Sequence, residues 1–248
     1  TQYFRCDGKV DTKTEIMLCP EDSVQLHKIT LTNHDSTDKT ITLTFYSEII
    51  LAKRQSDEAH RAFSNLFVST QYDEERGELF AVRHGRDNSE KPVWACLGMA
   101  SDAEFAEKIS VETDREKFLG RNNTIPDANA LKNTLPLSGT VGDVLDSVFA
   151  MRVKIRLKAE SNSTVNFIVS EGESKQEAEG LCSKYKQTAA RTKACEQALS
   201  YCNAFSGFMD MRAGEEEKIL ELLPYLNVCS NVKQRYANKI SENILPQS

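Results

Sequence analysis

The sequence predicts an α+β fold, a mainly antiparallel β-sandwich followed by helices. Three observations carry that expectation. Upstream of residue 172, apolar side chains recur at period two in runs separated by polar turns. Downstream they recur at helical spacing behind a helix-start signal. One long run, "FAMRVKIRLKA" (149–159), puts Met151, Val153, Ile155 and Leu157 on one face. Its other face carries Arg152, Lys154, Arg156 and Lys158, and a strand with one dry and one wet face belongs to an antiparallel sheet.

Taken in order, "ITLTNHDSTDKTITLTFYSEIIL" (29–51) alternates Ile41, Leu43 and Phe45 with Thr and Tyr. Its "NHDSTDK" centre carries turn formers, so it predicts a β-hairpin, or at least two consecutive strands. "LFVSTQYDEERGELFAVRH" (66–84) repeats the scheme around Arg76-Gly77. "PVWACLGM" (92–99) is a short apolar strand opened by Pro92, and "STVNFIVS" (163–170) follows the amphipathic run after a polar turn. Strands of this kind with polar turns indicate a sandwich. Beyond it, Ser174 followed by Glu177 makes a capping box. The stretch 188–211 is a second helix with Ala194, Ala198, Cys202 and Phe205 along one stripe. "EEEKILELLPYL" (215–226) and "NVKQRYANKISENI" (231–244) are two more.

The 248 residues are 40% hydrophobic and 27% charged, ordinary globular values, and long enough for a core without disulfides or metals. A net charge of −6 argues against a nucleic-acid surface, which needs clustered Lys and Arg. Seven cysteines, Cys6, Cys19, Cys96, Cys182, Cys195, Cys202 and Cys229, form no C-x-x-C pair and lie at no zinc-ligand spacing with a histidine. They read as reduced thiols used as small core residues. Cys195 and Cys202, seven apart, share a helix face, which supports that use. No apolar run reaches the ~20 residues of a membrane span. The opening "TQYFRCDGK" has no Met and no leader, and reads as the interior of a longer polypeptide.

Glycine loops that cradle phosphate, G-x-S-x-G and H-E-x-x-H are absent. His27 and His34 read as structural or solvated. The carboxylate neighbours Asp102/Glu104, Glu112/Asp114 and Asp143/Asp146 read as solvated pairs, because sequence proximity does not set two carboxylates across a sugar. Trp94, Tyr72, Phe63 and Phe118 can each stack on a pyranose face. Trp94 suits a core better, whereas Phe118 lies in the polar stretch "ETDREKFLGRNNT" (112–124), which reads as a loop. "RAFSNLF" (61–67) and "PLSGTVGDVLDSVFAMR" (136–152) are further loop-like segments feeding strands, and loops at one end of a sandwich are where binding groups collect.

Four segments in order, "PEDSVQLHKITLTNHDSTDKTITLTFYSEIILA", "AHRAFSNLFV", "ETDREKFLGR" and "PLSGTVGDVLDSVFAMR", resemble the sugar phosphorylases of glycoside hydrolase family 94 (formerly glycosyltransferase family 36). Within that family the similarity is to the C-terminal region of cyclic β-1,2-glucan synthases, from about Glu15 to the helical tail. The resemblance implies a galactose-mutarotase-like supersandwich, then linker helices, then an (α/α)6 barrel that holds the general-acid Asp. It implies inverting phosphorolysis of a β-glucoside, with inorganic phosphate as co-substrate and no cofactor or metal. On this reading residues 1–171 are the sandwich, lacking its first strands, and 172–248 are a helical linker toward a barrel beyond the chain. No catalytic residue is then carried here. Arg115, Phe118 and Arg121 are the candidate substrate-binding residues: the arginines can bond hydroxyls or phosphate, and Phe118 can pack on a ring. A purely structural loop, with Arg115 paired to Asp114 or Glu112, fits the same residues.

The partners expected are a β-glucan oligosaccharide, the barrel of the same polypeptide and, as an open case, a second copy of the chain, but no nucleic acid. The location expected is a soluble cytoplasmic region of a parent that can be an inner-membrane protein. Two rival functions are a self-sufficient carbohydrate-binding module and a mutarotase-like enzyme, for which His60 and His84 are the available bases.

Overall fold

The computed structural model describes residues 1–85, 90–209, 214, 215, 218, 219 and 221. The chain divides into two compact units, Thr1–Ala198 and Leu199–Ser248. In chain order the elements are β1 (Gln2–Asp7), β2 (Val10–Leu18), β3 (Val24–Asn33), β4 (Lys39–Glu48), α1 (Arg54–Asn65), β5 (Val68–Asp73), β6 (Glu78–Arg83) and β7 (Val93–Ser101). Then come β8 (Glu104–Phe105), β9 (Ser110–Asp114), α2 (Arg115–Leu119), β10 (Gly142–Asp143), β11 (Ser147–Leu157), β12 (Asn162–Gly172), α3 (Lys175–Lys186) and α4 (Thr188–Phe208).

The strands form two antiparallel sheets. The larger has eight strands in the order β1-β2-β3-β12-β7-β6-β5-β10. The smaller runs β4-β11-β8, with β9 also paired to β11. The expected sandwich followed by helices is what forms. The 66–84 segment is the expected hairpin, with Tyr72 opposite Leu79 and Gly77 at φ 64 in its turn.

The 29–51 segment yields two consecutive strands but no hairpin. β3 pairs with β2 and β12, and β4 pairs with β11 in the facing sheet. The connection is held at the crossing by the Asn33 amide, whose Nδ2 donates to Thr37 O at 2.9 Å and Lys158 O at 3.0 Å. Period-two alternation requires both strands to point apolar residues into one core, and two facing sheets meet that requirement as well as a hairpin does.

The core between the sheets contains Ile29, Leu31, Phe45, Leu79, Leu97, Met151, Val153, Ile155 and Phe167. A second core lies on the outer face of the large sheet, where Leu26, Phe80, Cys96 and Ile168 meet Ala178, Cys182 and Tyr185 of α3 and Ala194 of α4. Successive residues therefore serve opposite layers: Leu79 and Phe80, Leu97 and Cys96, Phe167 and Ile168. This explains why all six residues of β6 are buried. α3 starts at Ser174, whose hydroxyl accepts from Glu177 N at 3.2 Å. The Glu177 carboxylate reaches Glu173 N, one residue earlier than a strict capping box.

A third, smaller core covers the outer face of β11 with Phe118, Leu119, Ala128 and Ala150. The same covering segment changes the environment of the basic stripe. Lys154 is partly exposed and Arg156 exposed, as a wet face predicts, but Arg152 is only 4% exposed. Its guanidinium donates to the carbonyls of Ala130 and Leu135, the latter at 2.6 Å, and to Thr44 Oγ1 at 2.9 Å.

Two expectations for the second helix are corrected. Ala194 is buried, but Cys195 and Cys202 are exposed and Phe205 is 53% exposed. Ala194 packs on the sheet, and Cys195, one residue beyond it, is turned about 100° away from that contact. Within the predicted 215–226 helix, Glu215, Lys218, Ile219 and Glu221 are helical. The rest of that segment, the predicted 231–244 helix and Cys229 lie outside the described residues.

Candidate functional site

Three of the singled-out segments and the end of β4 meet at one end of the sandwich. Glu48 closes β4, Arg61 and Asn65 come from α1, Arg115 opens α2, and Asp146 immediately precedes β11. "ETDREKFLGRNNT" is regular up to Leu119, and only 120–124 is the expected loop. Ser110–Asp114 is a strand and Arg115–Leu119 a one-turn helix. Asp114 caps that helix by accepting from Glu116 N at 2.9 Å. Its other end is closed by Gly120 at φ 87, where a Cβ would collide with the Asn129 amide. "RAFSNLF" is likewise mostly the second half of α1, beyond a break at His60.

Arg115 is paired, but with neither Asp114 nor Glu112. Its Nε lies 3.2 Å from Glu48 Oε1 and 3.6 Å from Asp146 Oδ2, and its backbone N donates to Asp146 O at 3.1 Å. Arg61 pairs with the other oxygen of Glu48, and Asn65 Nδ2 donates to Asp146 Oδ1 at 2.8 Å. Glu112 is instead buried, accepting from Thr113 N at 2.9 Å, Asp114 N at 2.8 Å and the Ser138 hydroxyl, which ties the 138–140 loop to β9.

The two carboxyls of this network are tuned in opposite directions. Burial pushes Glu48 up, but the Arg61 and Arg115 guanidiniums outweigh it and leave its pKa below the ordinary value. At Asp146 burial outweighs the pull of Arg115 and Arg61, the charges of Glu48 and Asp114 add to the rise, and its pKa lies above the ordinary value. Arg115 and Glu48 keep 39% and 33% of their side-chain surface in water, so the network can still be reached by a hydroxylated ligand. Asn65 Oδ1 and Ser147 Oγ, both buried at this end, find no hydrogen-bond partner among the described residues. The arrangement offers guanidinium donors and carboxylate acceptors within one patch, the chemistry that recognises vicinal hydroxyls.

The structure does not present Phe118 to a ligand. The ring is 1% exposed and stacks on Tyr46 with centroids 4.7 Å apart. Amphipathic placement explains this: α2 lies on β11, and its apolar residues Phe118 and Leu119 both turn inward. Arg121 is exposed just past Gly120 and shares no hydrogen bond or ion pair with the network among the described residues. The aromatic at this end is Phe63 of α1, 52% exposed and edge-on to Phe67 at 5.3 Å. Trp94 and Tyr72 are partly buried against the two main cores. Arg61 and Asn65 lie in the singled-out "RAFSNLF", and Asp146, read as one of a solvated pair, is instead partly buried and bonded to Asn65; Glu48 belonged to none of these motifs. Charge at the end of an alternating strand was the signal that could have found Glu48.

The mutarotase-like alternative gains nothing from geometry. His60 and His84 are exposed, and neither ring bonds a carboxylate among the described residues. A concavity of about 580 Å³ beside Arg83 and His84 is lined by Lys53, Lys91, Glu90 and Glu171. Among the described residues no helix is long and apolar enough to cross a membrane.

Two packed antiparallel sheets, backed by helices and ending in a half-exposed polar network, define a β-sandwich domain. The model of the glycosyl hydrolase 94 supersandwich domain matches residues 1–188, and the chain belongs to that family. It is 26% identical over 166 residues to the cyclic beta-(1,2)-glucan synthase NdvB of Rhizobium meliloti (strain 1021), covering 67% of this chain and 6% of the relative. The chain thus spans a small part of the length of that relative. Among solved structures, a bacterial glucoamylase complexed with acarbose is 13% identical with a TM-score of 0.48, over 82% of this chain and 26% of that one. A putative kojibiose phosphorylase from the human microbiome is 8% identical with a TM-score of 0.35, over 86% and 21%. Likenesses at that level carry no argument about this chain.

Proposed function

We propose that this chain is the non-catalytic supersandwich of a β-glucan-processing glycosyltransferase or phosphorylase, and that its Glu48–Arg61–Arg115–Asp146 end contributes to the rim of an active site on an (α/α)6 barrel. The observation that carries the reading is the meeting of four separate segments in one half-exposed, hydrogen-bonding patch on a domain of this family. The relative's name, a cyclic beta-(1,2)-glucan synthase, supports β-1,2-glucan as the substrate. In this reading residues 1–171 are the sandwich, and the helices from 172 onward lead toward the barrel. The bond-breaking acid lies on the barrel, and inorganic phosphate is the co-substrate. The domain works on the cytoplasmic side of the membrane. The sandwich supplies Arg115 and Arg61 to hold hydroxyls, with Phe63 as the exposed ring.

The test uses the longer polypeptide in which this chain is joined to its barrel. R115A is expected to lower kcat/KM for β-1,2-glucan at least tenfold, a loss of about 1.4 kcal/mol. R156A, which removes a surface pair with Glu104, is expected to leave it unchanged. Equal activity of R115A and the parent would remove the rim role. The isolated chain is expected to show no phosphorolysis. Sub-millimolar binding of sophoro-oligosaccharides to it by calorimetry would favour a self-sufficient binding module instead.

A further inference from the structure

The apolar layer between the large sheet and α3 encloses a polar cluster. Glu78 opens β6, Cys96 lies within β7, and Cys182 comes from α3, with donor atoms of all three within 4.8 Å of one another. Glu78 is 1% exposed and both cysteines 0%. One carboxylate oxygen, Oε1, meets Lys186 Nζ at 2.6 Å. The other, Oε2, is buried and has no hydrogen-bond partner among the described residues. A buried carboxylate oxygen without a donor costs free energy, and glutamate is rarely buried unless engaged. The backbone leaves room for this cluster: a Cβ at Gly98 would collide with Cys182 Sγ.

We infer that Glu78, Cys96 and Cys182 form a binding site for a thiophilic divalent cation of the zinc type. Two thiolates and a carboxylate oxygen are a donor set that zinc accepts, at about 2.3 Å to sulfur and 2.0–2.2 Å to oxygen. A water completes the tetrahedron. The donors, already within 4.8 Å of one another, draw together by at most about 1 Å on binding, within reach of side-chain torsions. Each thiol gives up its proton to solvent as the ion binds. The two thiolates, the carboxylate, the ion and the Lys186 ammonium then balance to zero net charge, which makes the burial tolerable. Sulfur donors disfavour magnesium and calcium. The ion ties α3 to β6 and β7. It enters and leaves when α3 lifts from the sheet, so binding is coupled to local opening of that helix.

The purified chain, reduced and stripped by chelator, is titrated with Co²⁺ and then with Zn²⁺. One equivalent of Co²⁺ is expected to give thiolate-to-cobalt charge-transfer absorption that Zn²⁺ displaces. Serine at Cys6, Cys195, Cys202 and Cys229 together is expected to keep the band. C96S and C182S each abolish it, and E78Q keeps it with at least tenfold weaker binding. Absence of the band at one equivalent, or a band that survives both C96S and C182S, overturns the site. Should those variants fail to fold, the parent chain decides: a saturable rise in its unfolding midpoint with Zn²⁺ is expected, and no rise overturns the inference.

Discussion

The Arg152 guanidinium is the residue whose role departs most from its pattern. Alternation along β11 placed it correctly, on the face opposite Met151 and Val153, but could not reveal that the 128–137 segment folds over it. Burial pushes its pKa below the ordinary arginine value, and carbonyl oxygens, not water, surround it. R152A would leave the carbonyls of Ala130 and Leu135 without a donor. A loss on the order of 3 kcal/mol is expected, read as a lower denaturant midpoint at unchanged m-value. Asp35 gives a residue-scale pH prediction. Its bonds to Lys39 and Lys9 hold its pKa at about 2, below the ~3.9 of an unfolded aspartate. The depressed folded value means its stabilisation is full above about pH 4 and fades as pH falls toward about 2. Carboxyl NMR titration checks it, and a midpoint at the ordinary value would contradict the geometry. The candidate site shows the same division between what pattern reveals and what packing decides. Arg115 stood out because charge clusters near it in sequence, yet its partners Glu48 and Asp146 are 67 and 31 positions distant. Phe118 stood out as an aromatic among polar residues, and only the one-turn helix, invisible at that length, turns it inward.

Among the elements, strands were the most legible. β5, β6, β7, β11 and β12 lie where alternation and turn residues put them, because each must fill a face at period two. Pairing was less legible: nothing local distinguishes a hairpin from a crossing between sheets, as β3 and β4 show. Helix faces were less legible, since Cys202 and Phe205 keep the spacing of a buried stripe and yet are exposed. Phe80 tests the helix–sheet contact. F80A removes the largest fully buried side chain that the sheet sets under α3 and is expected to cost about 3–5 kcal/mol. Amide exchange should speed in α3 before it does in β11. Uniform acceleration across both would show that the two cores open as one.

At the scale of the molecule, the middle of the large sheet is covered on both faces, by the small sheet and by α3 with the start of α4. The folding unit therefore extends past the last strand. A chain ending at residue 171 would expose Leu26, Phe80 and Ile168 together, a contiguous apolar surface of the kind that drives association. Such a truncation is expected to aggregate in size-exclusion chromatography, whereas one ending at Ala198 is expected to be monomeric and cooperative in thermal melting. A well-folded monomer from the shorter form would show that the second core is dispensable.

β6 carries a consequence of that double covering. In a sheet with one watery side, slippage by a single residue is forbidden because oil would be turned outward. Here Leu79 and Phe80 could trade layers without either meeting solvent, so greasiness alone does not choose between alignments. The choice falls to the polar groups at the strand's two extremities, Glu78 bound to Lys186 and Arg83 bound to Ser64, which act as end-stops for an otherwise ambivalent ribbon.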